Sequence, residues 1–598
     1  MRILLLAHSF NSLTQRLWVE LADWGHEVSL ELDVNDALTV DAVRRWAPDL
    51  VIAPFLKRAI PQDVWSTVRC LVVHPGVVGD RGPSALDWAI LDGERRWGVT
   101  ILQANAEMDA GDVWASVEFD LRDAAKGSVY RNEVTESAIE AVRVALERIV
   151  RGEFPSALRA MTHARGMSRP LVRQSDRAID WHRDPTARVL RRLGSAEGVP
   201  GVADEVLGLP VQCYGGHVEG KLRGAAGAVI AQRDDAICRA TVDGAVWITH
   251  LKDSASAHPF KLPAARVLDN RLAGVPVSAL PLDAPDEDTW REIRYEERDA
   301  VGVLHFPFPN GAMSTAQCGR LVAAYRFATA RSTRVIVLAG GPDFWSNGLH
   351  LNVIEAAEHP ADESWRNINA IDDFVLAVLT TTSHLTVAAL QGNAGAGGVF
   401  AALAADRVVA RSGVVLNPHY RGMGNLYGSE YWTYLLPKRV GAEGARAITE
   451  ARLPMGTREA LQRGLIDAHY GGSPAEFLAQ AIEEAQAMAG SDWTERLASK
   501  KRTREMDESR KPLASYRAEE LERMRLNFYG FDSSYHVARS NFVRKVPKAR
   551  TPSYLARHRA PRALASGSRD VPPAGDPGVA PTLVRTGGGG GSGDRDRS

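Results

Sequence analysis

The chain has 598 residues, 45% of them hydrophobic and 24% charged, and its 72 lysines and arginines nearly balance 73 aspartates and glutamates. This length supplies several hydrophobic cores, and a net charge of −1 gives no overall basic surface for nucleic-acid binding. Four widely separated cysteines form no C-x-x-C pair, which argues against a zinc or iron–sulfur centre and predicts a reduced, cytoplasmic protein without a catalytic metal.

The first 168 residues follow the pattern of a parallel sheet with helices on both faces. Short apolar runs predict strands at 1–7, 26–32, 48–54 and 71–73, and a helical pattern covers residues 14–24. The first run is far too short for a signal peptide or a membrane span. No G-x-G-x-x-G or P-loop follows it, so the sequence gives no indication of dinucleotide or ATP use.

Three motifs follow the fourth predicted strand. They are His74-Pro75-Gly76 with Asp80-Arg81-Gly82-Pro83-Ser84, then Gly98-Val99-Thr100-Ile101-Leu102-Gln103, then Met108-Asp109-Ala110-Gly111-Asp112. This succession resembles the formyl-tetrahydrofolate-dependent formyltransferases, such as methionyl-tRNA formyltransferase. The resemblance implies that His74 and Asp109 are catalytic, and that Arg81 and Gly82 contribute to binding of the cofactor.

In that family the histidine stabilises the oxyanion that forms as the formyl carbonyl is attacked, and the aspartate orients the histidine or moves protons. His74 and Asp109 match this pattern. The family's asparagine, two residues before the histidine, is replaced by Val72, so one oxyanion donor is missing or supplied elsewhere. The alternative is that His74 is a structural histidine at a strand end and Asp109 an ordinary turn residue.

Residues 169–278 have a different pattern, with a helix predicted at 185–192 and short strands at 226–231, 236–242 and 245–251. This region resembles the C-terminal β-barrel subdomain of the same formyltransferases. That subdomain grips RNA in the transfer-RNA enzymes, but the balanced charge of this chain gives no indication of an RNA partner. The acidic, proline-containing stretch at 279–293 is predicted to be a linker.

Two glycine-containing segments follow apolar runs in the second half of the chain. The run 334–338 precedes Phe344-Trp345-Ser346-Asn347-Gly348-Leu349, and the run 385–390 precedes Gly392-Asn393-Ala394-Gly395-Ala396-Gly397-Gly398. A buried helix of small residues is predicted at 399–405. This order of strand, loop and helix resembles the crotonase (enoyl-CoA hydratase/isomerase) family.

The crotonase resemblance implies an oxyanion hole for an acyl-CoA thioester. The backbone N–H groups of Leu349 and Gly397 would point at the thioester carbonyl, and Gly348 and Gly398 would let the backbone approach it without a β-carbon. The alternative is that these segments are ordinary glycine-rich turns between strands and helices.

The two glutamates with which hydratases of this family activate water are missing. Phe400 and His419 stand in their places, so the site is predicted to hold an acyl thioester without hydrating it. In the segment 417–430, Tyr420 and Glu430 are the candidate pair for proton transfer. Their spacing does not establish contact, and Tyr420 as a wall residue with Glu430 on a helix surface remains an open alternative.

The crotonase-like, CoA-binding domain is assigned to residues 294–550, including a charged helical extension at 493–525. The extension contains Lys500-Lys501-Arg502-Thr503-Arg504, which is either a solvated helix face or a source of one cation for CoA phosphates. Residues 551–598 are assigned to a disordered tail, because the end of the chain is rich in proline, glycine, serine and charge.

The expected fold class is α/β: a Rossmann-like formyltransferase sheet with a small β-barrel subdomain, followed by a crotonase-like ββα superhelix. This pairing resembles a family of hydrogenase maturation factors. The resemblance implies synthesis of carbon monoxide for a nickel–iron hydrogenase, by formyl transfer from formyl-tetrahydrofolate to coenzyme A and cleavage of formyl-CoA. Hydrogenase maturation proteins would receive the product, and no nucleic-acid or membrane partner is expected.

Two other functions remain open. One is a formyltransferase that acts on a small-molecule amine and carries a separate acyl-CoA activity. The other is a non-catalytic scaffold whose crotonase-like domain binds CoA or a hydrogenase precursor. The missing hydratase glutamates and Val72 weigh against the first function, and retention of His74 and Asp109 weighs against the second.

Overall fold

The computed structural model describes residues 1–158, 164–285 and 288–560, and residues Met1–Arg559 form one compact unit. The parts of the predicted linker at 286–287 and of the predicted tail at 561–598 lie outside the described residues. Among the residues that are described, no helix is long and apolar enough to cross a membrane.

The N-terminal domain is built on a six-stranded sheet of order β2-β1-β3-β4-β5-β6. Its first four strands are parallel, as predicted, and β5 and β6 continue the sheet in antiparallel orientation. The strands are β1 Arg2–Ala7, β2 Glu27–Leu32, β3 Leu50–Phe55, β4 Cys70–His74, β5 Arg96–Gln103 and β6 Val113–Asp120. The helices are α1 Ser12–Asp23, α2 Asp36–Trp46, α3 Gln62–Trp65, α4 Ala85–Asp92, α5 Lys126–Val129 and α6 Thr135–Val150, with a π-helical turn at Tyr130–Val134.

The second region is an antiparallel sheet of order β7-β8-β11-β10-β9, with a short β12 paired to β11. Its elements are α7 Thr186–Ser195, β7 Val202–Val206, β8 Leu209–Glu219, β9 Val229–Arg233, β10 Ala236–Ala240, β11 Ala245–Lys252, β12 Leu262–Pro263 and α8 Ala264–Leu268. Helix α7 packs on the sheet through Val189 and Leu193, which are fully buried.

The third region contains a six-stranded sheet of order β13-β14-β16-β19-β21-β24 and a smaller sheet of order β17-β20-β22-β23. Its strands are β13 Arg294–Arg298, β14 Val301–His305, β15 Ala312–Met313, β16 Val335–Gly340, β17 Phe344–Ser346, β18 Gly348–Leu349, β19 Leu385–Leu390, β20 Asn393–Gly395, β21 Arg407–Arg411, β22 Val415–Asn417, β23 Met455–Gly456 and β24 Ala468–Tyr470. Its helices are α9 Thr315–Thr329, α10 Leu351–Glu355, α11 Pro360–Leu379, α12 Gly397–Leu403, α13 Trp432–Ala451, α14 Thr457–Gln462 and α15 Pro474–Met488.

The smaller sheet brings the two glycine segments together. In it β17 lies parallel to β20, which lies parallel to β22. Strands β17, β20 and β22 each follow a strand of the larger sheet (β16, β19 and β21), so the same connection occurs three times. The loop after β17 and the start of α12 are therefore neighbours although about fifty residues of chain separate them.

The C-terminal extension forms three helices: α16 Trp493–Arg510, α17 Leu513–Tyr529 and α18 Ser534–Val543. The predicted single helical region is divided at Pro512, which cannot continue the hydrogen bonding of α16. The α17 residues Leu513, Met524 and Phe528 are buried in the same core as α11 and α13. The extension is therefore part of the crotonase-like domain rather than an appendage to it.

The N-terminal domain touches the crotonase-like domain at Asp343, the residue before β17. The Asp343 carboxylate accepts hydrogen bonds from the Ser128 hydroxyl at 2.6 Å and from the Asn132 amide at 3.0 Å. The Arg131 guanidinium lies 3.4 Å from the same carboxylate and stacks over the Phe344 ring. These contacts fix the loop that leads to Gly348 against the first domain.

The segment 551–559 corrects the predicted tail, because it packs on the edge strand β2. The Leu30 N–H donates to the Leu555 carbonyl at 3.0 Å, and the Leu32 N–H donates to Thr551 Oγ1 at 2.7 Å. Leu555 and Ala556 are buried in this contact. The prediction of disorder from residue 551 is therefore wrong for these residues, since the compositional bias begins only after them and the segment satisfies an open sheet edge.

A buried ion pair holds this segment in place. Arg559 Nη2 donates to both carboxylate oxygens of Glu31, at 2.8 and 2.9 Å, and His558 Nε2 lies 3.0 Å from Glu31 Oε2. Ser29 Oγ lies 2.8 Å from His558 Nδ1. Because Ser29 and Glu31 are fully inaccessible to solvent, this arrangement of serine, histidine and glutamate is structural.

We expect Arg559→Ala to destabilise the β2 edge by about 3 kcal/mol, because it leaves the Glu31 carboxylate buried without its bidentate partner. Native-state hydrogen exchange of the β2 amides measures this loss locally, which avoids assuming two-state unfolding of so long a chain. The control is Arg550→Ala, which removes an exposed arginine from the same stretch. Equal protection of β2 in the two variants would contradict the prediction.

Candidate functional site

The structure contains two sites that match the sequence predictions, and the first lies at the carboxyl end of β4. His74, the last residue of that strand, is buried between two carboxylates. Its Nε2 lies 2.9 Å from Asp80 Oδ2, and its Nδ1 lies 3.7 Å from Asp109 Oδ1. Since an ionised carboxylate only accepts hydrogen bonds, the contact with Asp80 places a proton on Nε2.

Backbone geometry packs this site tightly. A β-carbon on Gly76 would lie 2.4 Å from His74 Nε2 and 2.7 Å from Asp80 Oδ2, so only glycine leaves room for the pair. Asp109 adopts the left-handed conformation with φ +54°, and its Oδ2 accepts the Gly82 N–H at 3.2 Å. The predicted pair His74 and Asp109 is thus brought together by the turn that carries Gly82.

Asp80 is the carboxylate closest to His74, and the sequence reasoning missed it as a functional residue. The signal that could have identified it is its position six residues after His74, next to the motif residues Arg81 and Gly82. Arg81 Nη1 donates to Glu107 at 2.6 Å, and a β-carbon on Gly82 would lie 2.2 Å from the Arg169 carbonyl. The part that Arg81 and Gly82 play toward a folate stays a prediction.

Val72 lies within β4, paired with Ala53 of β3 and Leu102 of β5. Its side chain offers no hydrogen bond to an oxyanion. His74 is therefore the nearest side-chain donor that this strand end provides.

The second site lies where β18 faces the start of α12. Gly348 has φ +75°, and a β-carbon there would lie 3.5 Å from the Gly397 nitrogen and 3.8 Å from the Gly398 nitrogen. Gly397 and Gly398 are the first residues of α12, so their N–H groups have no partner within the helix. We call the space between Gly348 and the start of α12 the gap beside α12, and Leu349 lies next to it on β18; its predicted role as an oxyanion hole stays a prediction.

Tyr420 and Glu430 are in direct contact at this gap. The Tyr420 hydroxyl donates to Glu430 Oε2 at 2.5 Å, and Glu430 is only 1% exposed. A β-carbon on Gly397 would lie 2.0 Å from Glu430 Oε1, so the carboxyl group rests against the backbone of the predicted oxyanion hole. The structure thus brings together Gly348, Gly397, Tyr420 and Glu430, and it excludes the alternative of Glu430 on a helix surface.

Burial sets the protonation of this pair. Burial first and the nearby Asp372 carboxyl second raise the pKa of Glu430 to about 8. Burial and then the Glu430 charge place the pKa of Tyr420 well above its ordinary value. At neutral pH both side chains therefore hold their protons.

The hydrogen bonds decide which carboxyl oxygen carries the proton of Glu430. Oε2 accepts from the Tyr420 hydroxyl at 2.5 Å and from the Ser429 N–H at 3.1 Å. Two donors on Oε2 leave the proton on Oε1, which is the oxygen that faces Gly397. The arrangement offers an acidic proton to whatever group occupies the gap beside α12.

Phe400 and His419, which stand where hydratases have glutamates, make different contacts. The Phe400 ring stacks on Tyr420 with centroids 5.2 Å apart. Burial lowers the pKa of His419 to about 4, so it is neutral and does not replace a carboxylate. In the described part of the chain, no group of three or more His, Cys, Asp or Glu side chains is arranged to hold a metal ion.

Two side chains that support Glu430 come from elements that the sequence did not connect with this site. The Asp372 carboxylate of α11 accepts the Glu430 N–H at 2.8 Å. Glu520 of α17 accepts the Tyr431 N–H at 2.9 Å. Nothing in their local sequence identifies them, because both lie in helices of ordinary amphipathic pattern.

Comparison with known families and proteins supports a formyltransferase half followed by a crotonase-like half. Three family models match: "Formyl transferase" over residues 31–143, "Formyl transferase, C-terminal domain" over 171–259, and "Enoyl-CoA hydratase/isomerase" over 296–540. The methionyl-tRNA formyltransferase of Desulfotalea psychrophila is 26% identical over 151 residues, which are 25% of this chain and 46% of that protein.

Two relatives span nearly the whole chain. The hydrogenase maturation factor HoxX of Bradyrhizobium diazoefficiens is 54% identical over 566 residues, covering 94% of this chain and 98% of that protein. The crystal structure of HypX from Aquifex aeolicus, in complex with tetrahydrofolic acid, superposes with a TM-score of 0.90 at 51% identity and covers 94% of this chain and 99% of that one. With a formyltransferase half and a crotonase-like half in this order, the chain belongs to the HypX (HoxX) family of hydrogenase maturation factors.

Proposed function

We propose that this protein makes carbon monoxide for the active site of a nickel–iron hydrogenase. The formyl group of formyl-tetrahydrofolate passes to the thiol of coenzyme A at the first site, and formyl-CoA is cleaved to carbon monoxide and coenzyme A at the second. The observation that carries the proposal is the buried Tyr420–Glu430 pair against Gly397, in a crotonase-like site that has no hydratase glutamate. The free, buried cysteines favour a cytoplasmic location.

In the first step the C–N bond of the formyl donor breaks and a C–S bond to CoA forms. Because His74 Nε2 donates to Asp80 at 2.9 Å, the other ring nitrogen, Nδ1, takes the proton of the attacking thiol and passes it to the departing nitrogen. Between these transfers the charged ring stabilises the oxyanion, and Asp109, 3.7 Å from Nδ1, holds the ring in orientation. With Val72 unable to donate, His74 carries more of the oxyanion's charge than the histidine of an ordinary formyltransferase.

In the second step the gap beside α12 holds the thioester oxygen through the Leu349 and Gly397 N–H groups. Tyr420 takes the formyl proton on its oxygen while its own proton moves to Glu430 Oε2. Glu430 gives the Oε1 proton to the sulfur, and the C–S electron pair leaves with that sulfur. The C–H electron pair stays on carbon, so the products are carbon monoxide and the CoA thiol, and both side chains end in their starting protonation state.

The packing of the two halves supports a direct passage of formyl-CoA between the sites. Asp343, held by Ser128 and Asn132 of the first domain, lies five residues before Gly348 of the second site. A flexible CoA arm that swings across this junction would keep the reactive thioester away from water. The proposal therefore includes an internal route, rather than release of formyl-CoA to solvent.

The test is to incubate the purified protein with formyl-tetrahydrofolate, with and without CoA, and to record carbon monoxide by the absorbance shift of reduced haemoglobin. We expect CoA-dependent carbon monoxide. His74→Ala is expected to lose both tetrahydrofolate release and carbon monoxide. Tyr420→Phe is expected to keep tetrahydrofolate release but lower carbon monoxide by about 100-fold or more, because only the second step needs the phenol.

The control for this assay is Tyr434→Phe, which removes a phenol of α13 that bonds to Asp507 and touches neither site. Tetrahydrofolate and a stable formylated acceptor without carbon monoxide would point to a formyltransferase of another kind. CoA binding with no turnover at all would favour the scaffold function. Either result overturns the proposal.

The second step should also depend on pH with a defined sign. Because the pKa of Glu430 is raised to about 8, its proton is present below that pH and lost above it. Carbon monoxide formation from formyl-CoA supplied directly should therefore fall as the pH rises through about 8. Glu430→Gln should lose the reaction across the whole range, and a rate that rises steadily above pH 8 would contradict a protonated Glu430.

A further inference from the structure

We propose that Asp372 and Glu520 are positioning residues of the second site, which hold the turn 429–431 so that Glu430 faces Gly397 with its proton in place. The inference rests on the proposed function, because it concerns the proton that Glu430 delivers. It assigns a role to the C-terminal extension, since Glu520 belongs to α17. Neither residue reaches the gap beside α12 itself, and both act through Glu430.

The turn needs outside support because of its backbone conformation. Glu430 has φ +62° and Tyr431 has φ +59°, so two consecutive residues with side chains adopt the left-handed region that favours glycine. This conformation turns the Glu430 side chain back toward Tyr420 and Gly397. A conformation of this kind persists only where surrounding contacts fix it.

Asp372 fixes the turn from the side of α11. Its Oδ1 accepts the Glu430 N–H at 2.8 Å, and its Oδ2 accepts the Ser429 hydroxyl at 2.8 Å. The side chain is fully buried, at 0% exposure. One bond to the Glu430 backbone and one to the Ser429 side chain thus tie both residues of the turn to α11.

Glu520 fixes the same turn from the side of α17. Its Oε2 accepts the Tyr431 N–H at 2.9 Å, and its Oε1 accepts the Thr433 N–H at 2.8 Å and the Thr433 hydroxyl. These bonds also satisfy backbone donors at the start of α13, which has no side-chain cap of its own. Glu520 is fully buried, so these three hydrogen bonds lie inside the fold.

The charges around Glu430 give Asp372 a second effect. The titratable groups that interact with Glu430 are Asp372 on α11, Glu520 on α17, Cys318 on α9 and the Tyr420 phenol, while Arg517 and the Tyr431 phenol interact with Asp372. Burial raises the pKa of Asp372, and Arg517, whose Nε lies 3.7 Å from Oδ2, lowers it. Both Asp372 oxygens accept hydrogen bonds, which favours the charged form, and a negative charge on Asp372 opposes ionisation of Glu430.

Asp372→Asn separates the two effects. Asparagine still accepts the Glu430 N–H through its carbonyl, and the Ser429 hydroxyl can turn to accept from its amide, but the charge is gone. We expect the maximal rate of carbon monoxide formation to fall by less than 10-fold. The fall in rate at high pH should begin at lower pH than in the wild type, because Glu430 loses its proton more easily.

Asp372→Ala and Glu520→Ala remove the hydrogen bonds as well. We expect each to lower kcat by about 100-fold while the KM for CoA stays within about 3-fold, since a catalytic group is displaced but no contact to CoA is lost. The matched control is Glu519→Gln, which changes the neighbouring, exposed glutamate of α17 that pairs with Lys511 at 2.6 Å. This control should behave as the wild type in every measurement.

A second measurement follows Glu430 without any turnover. The infrared band of its protonated carboxyl, identified by its absence in Glu430→Gln, is titrated in the full-length wild type and in Asp372→Asn. The midpoint should move to lower pH in Asp372→Asn and stay in place in Glu519→Gln. An unmoved midpoint together with an unmoved pH–rate profile would overturn the inference, even if Asp372→Ala is inactive through misfolding.

The two proposals fail in different ways. If the wild type makes no carbon monoxide, the proposed function is wrong, and the infrared titration still decides whether Asp372 controls the proton of Glu430. If carbon monoxide forms but the titration midpoint and the pH–rate profile are the same in the wild type and in Asp372→Asn, the positioning role is wrong and the proposed function stands.

Discussion

A buried carboxyl group that keeps its proton is the feature on which the second site depends. Glu430 is 1% exposed, accepts hydrogen bonds on one oxygen and faces Gly397 with the other. Removing this group from water raises its pKa, and two further buried carboxyls strengthen the effect. Hydratases use a pair of carboxylates to activate water, whereas Glu430 is a buried carboxyl group with a raised pKa. In the proposed function this group acts as an acid toward a thioester.

The first site depends on the position of His74 between two carboxylates. Asp80 and Asp109 approach the two ring nitrogens from opposite sides, which fixes the orientation of the ring at the end of β4. The contacts of Ser128 and Asn132 with Asp343 then tie this domain to the loop of Gly348. Two chemically different sites are thus parts of one packed unit, which suits a thioester that must not meet water.

Much of the fold followed from local pattern. The strands β1 to β4, β16 and β19 lie within one or two residues of their predicted positions, because buried parallel strands read as continuous apolar runs. The order of the two halves followed from motifs at strand ends. The segment 551–559 was misjudged, because its packing on β2 depends on Glu31 more than 500 residues earlier. The helical extension is divided at Pro512 for a local reason, whereas its packing against α11 depends on tertiary structure.

The sequence by itself determined the chemistry available at each site: a histidine after a strand, glycines where a backbone must come close, and a tyrosine and a glutamate in a segment that lacks the hydratase acids. Only the tertiary structure decided how these groups act. It places Tyr420 in contact with Glu430 and makes Asp80 the nearest partner of His74. It also brings Asp372 and Glu520 to the turn that contains Glu430. The reason is physical: a residue type carries a functional group, but protonation and orientation depend on burial and on partners far away in the chain.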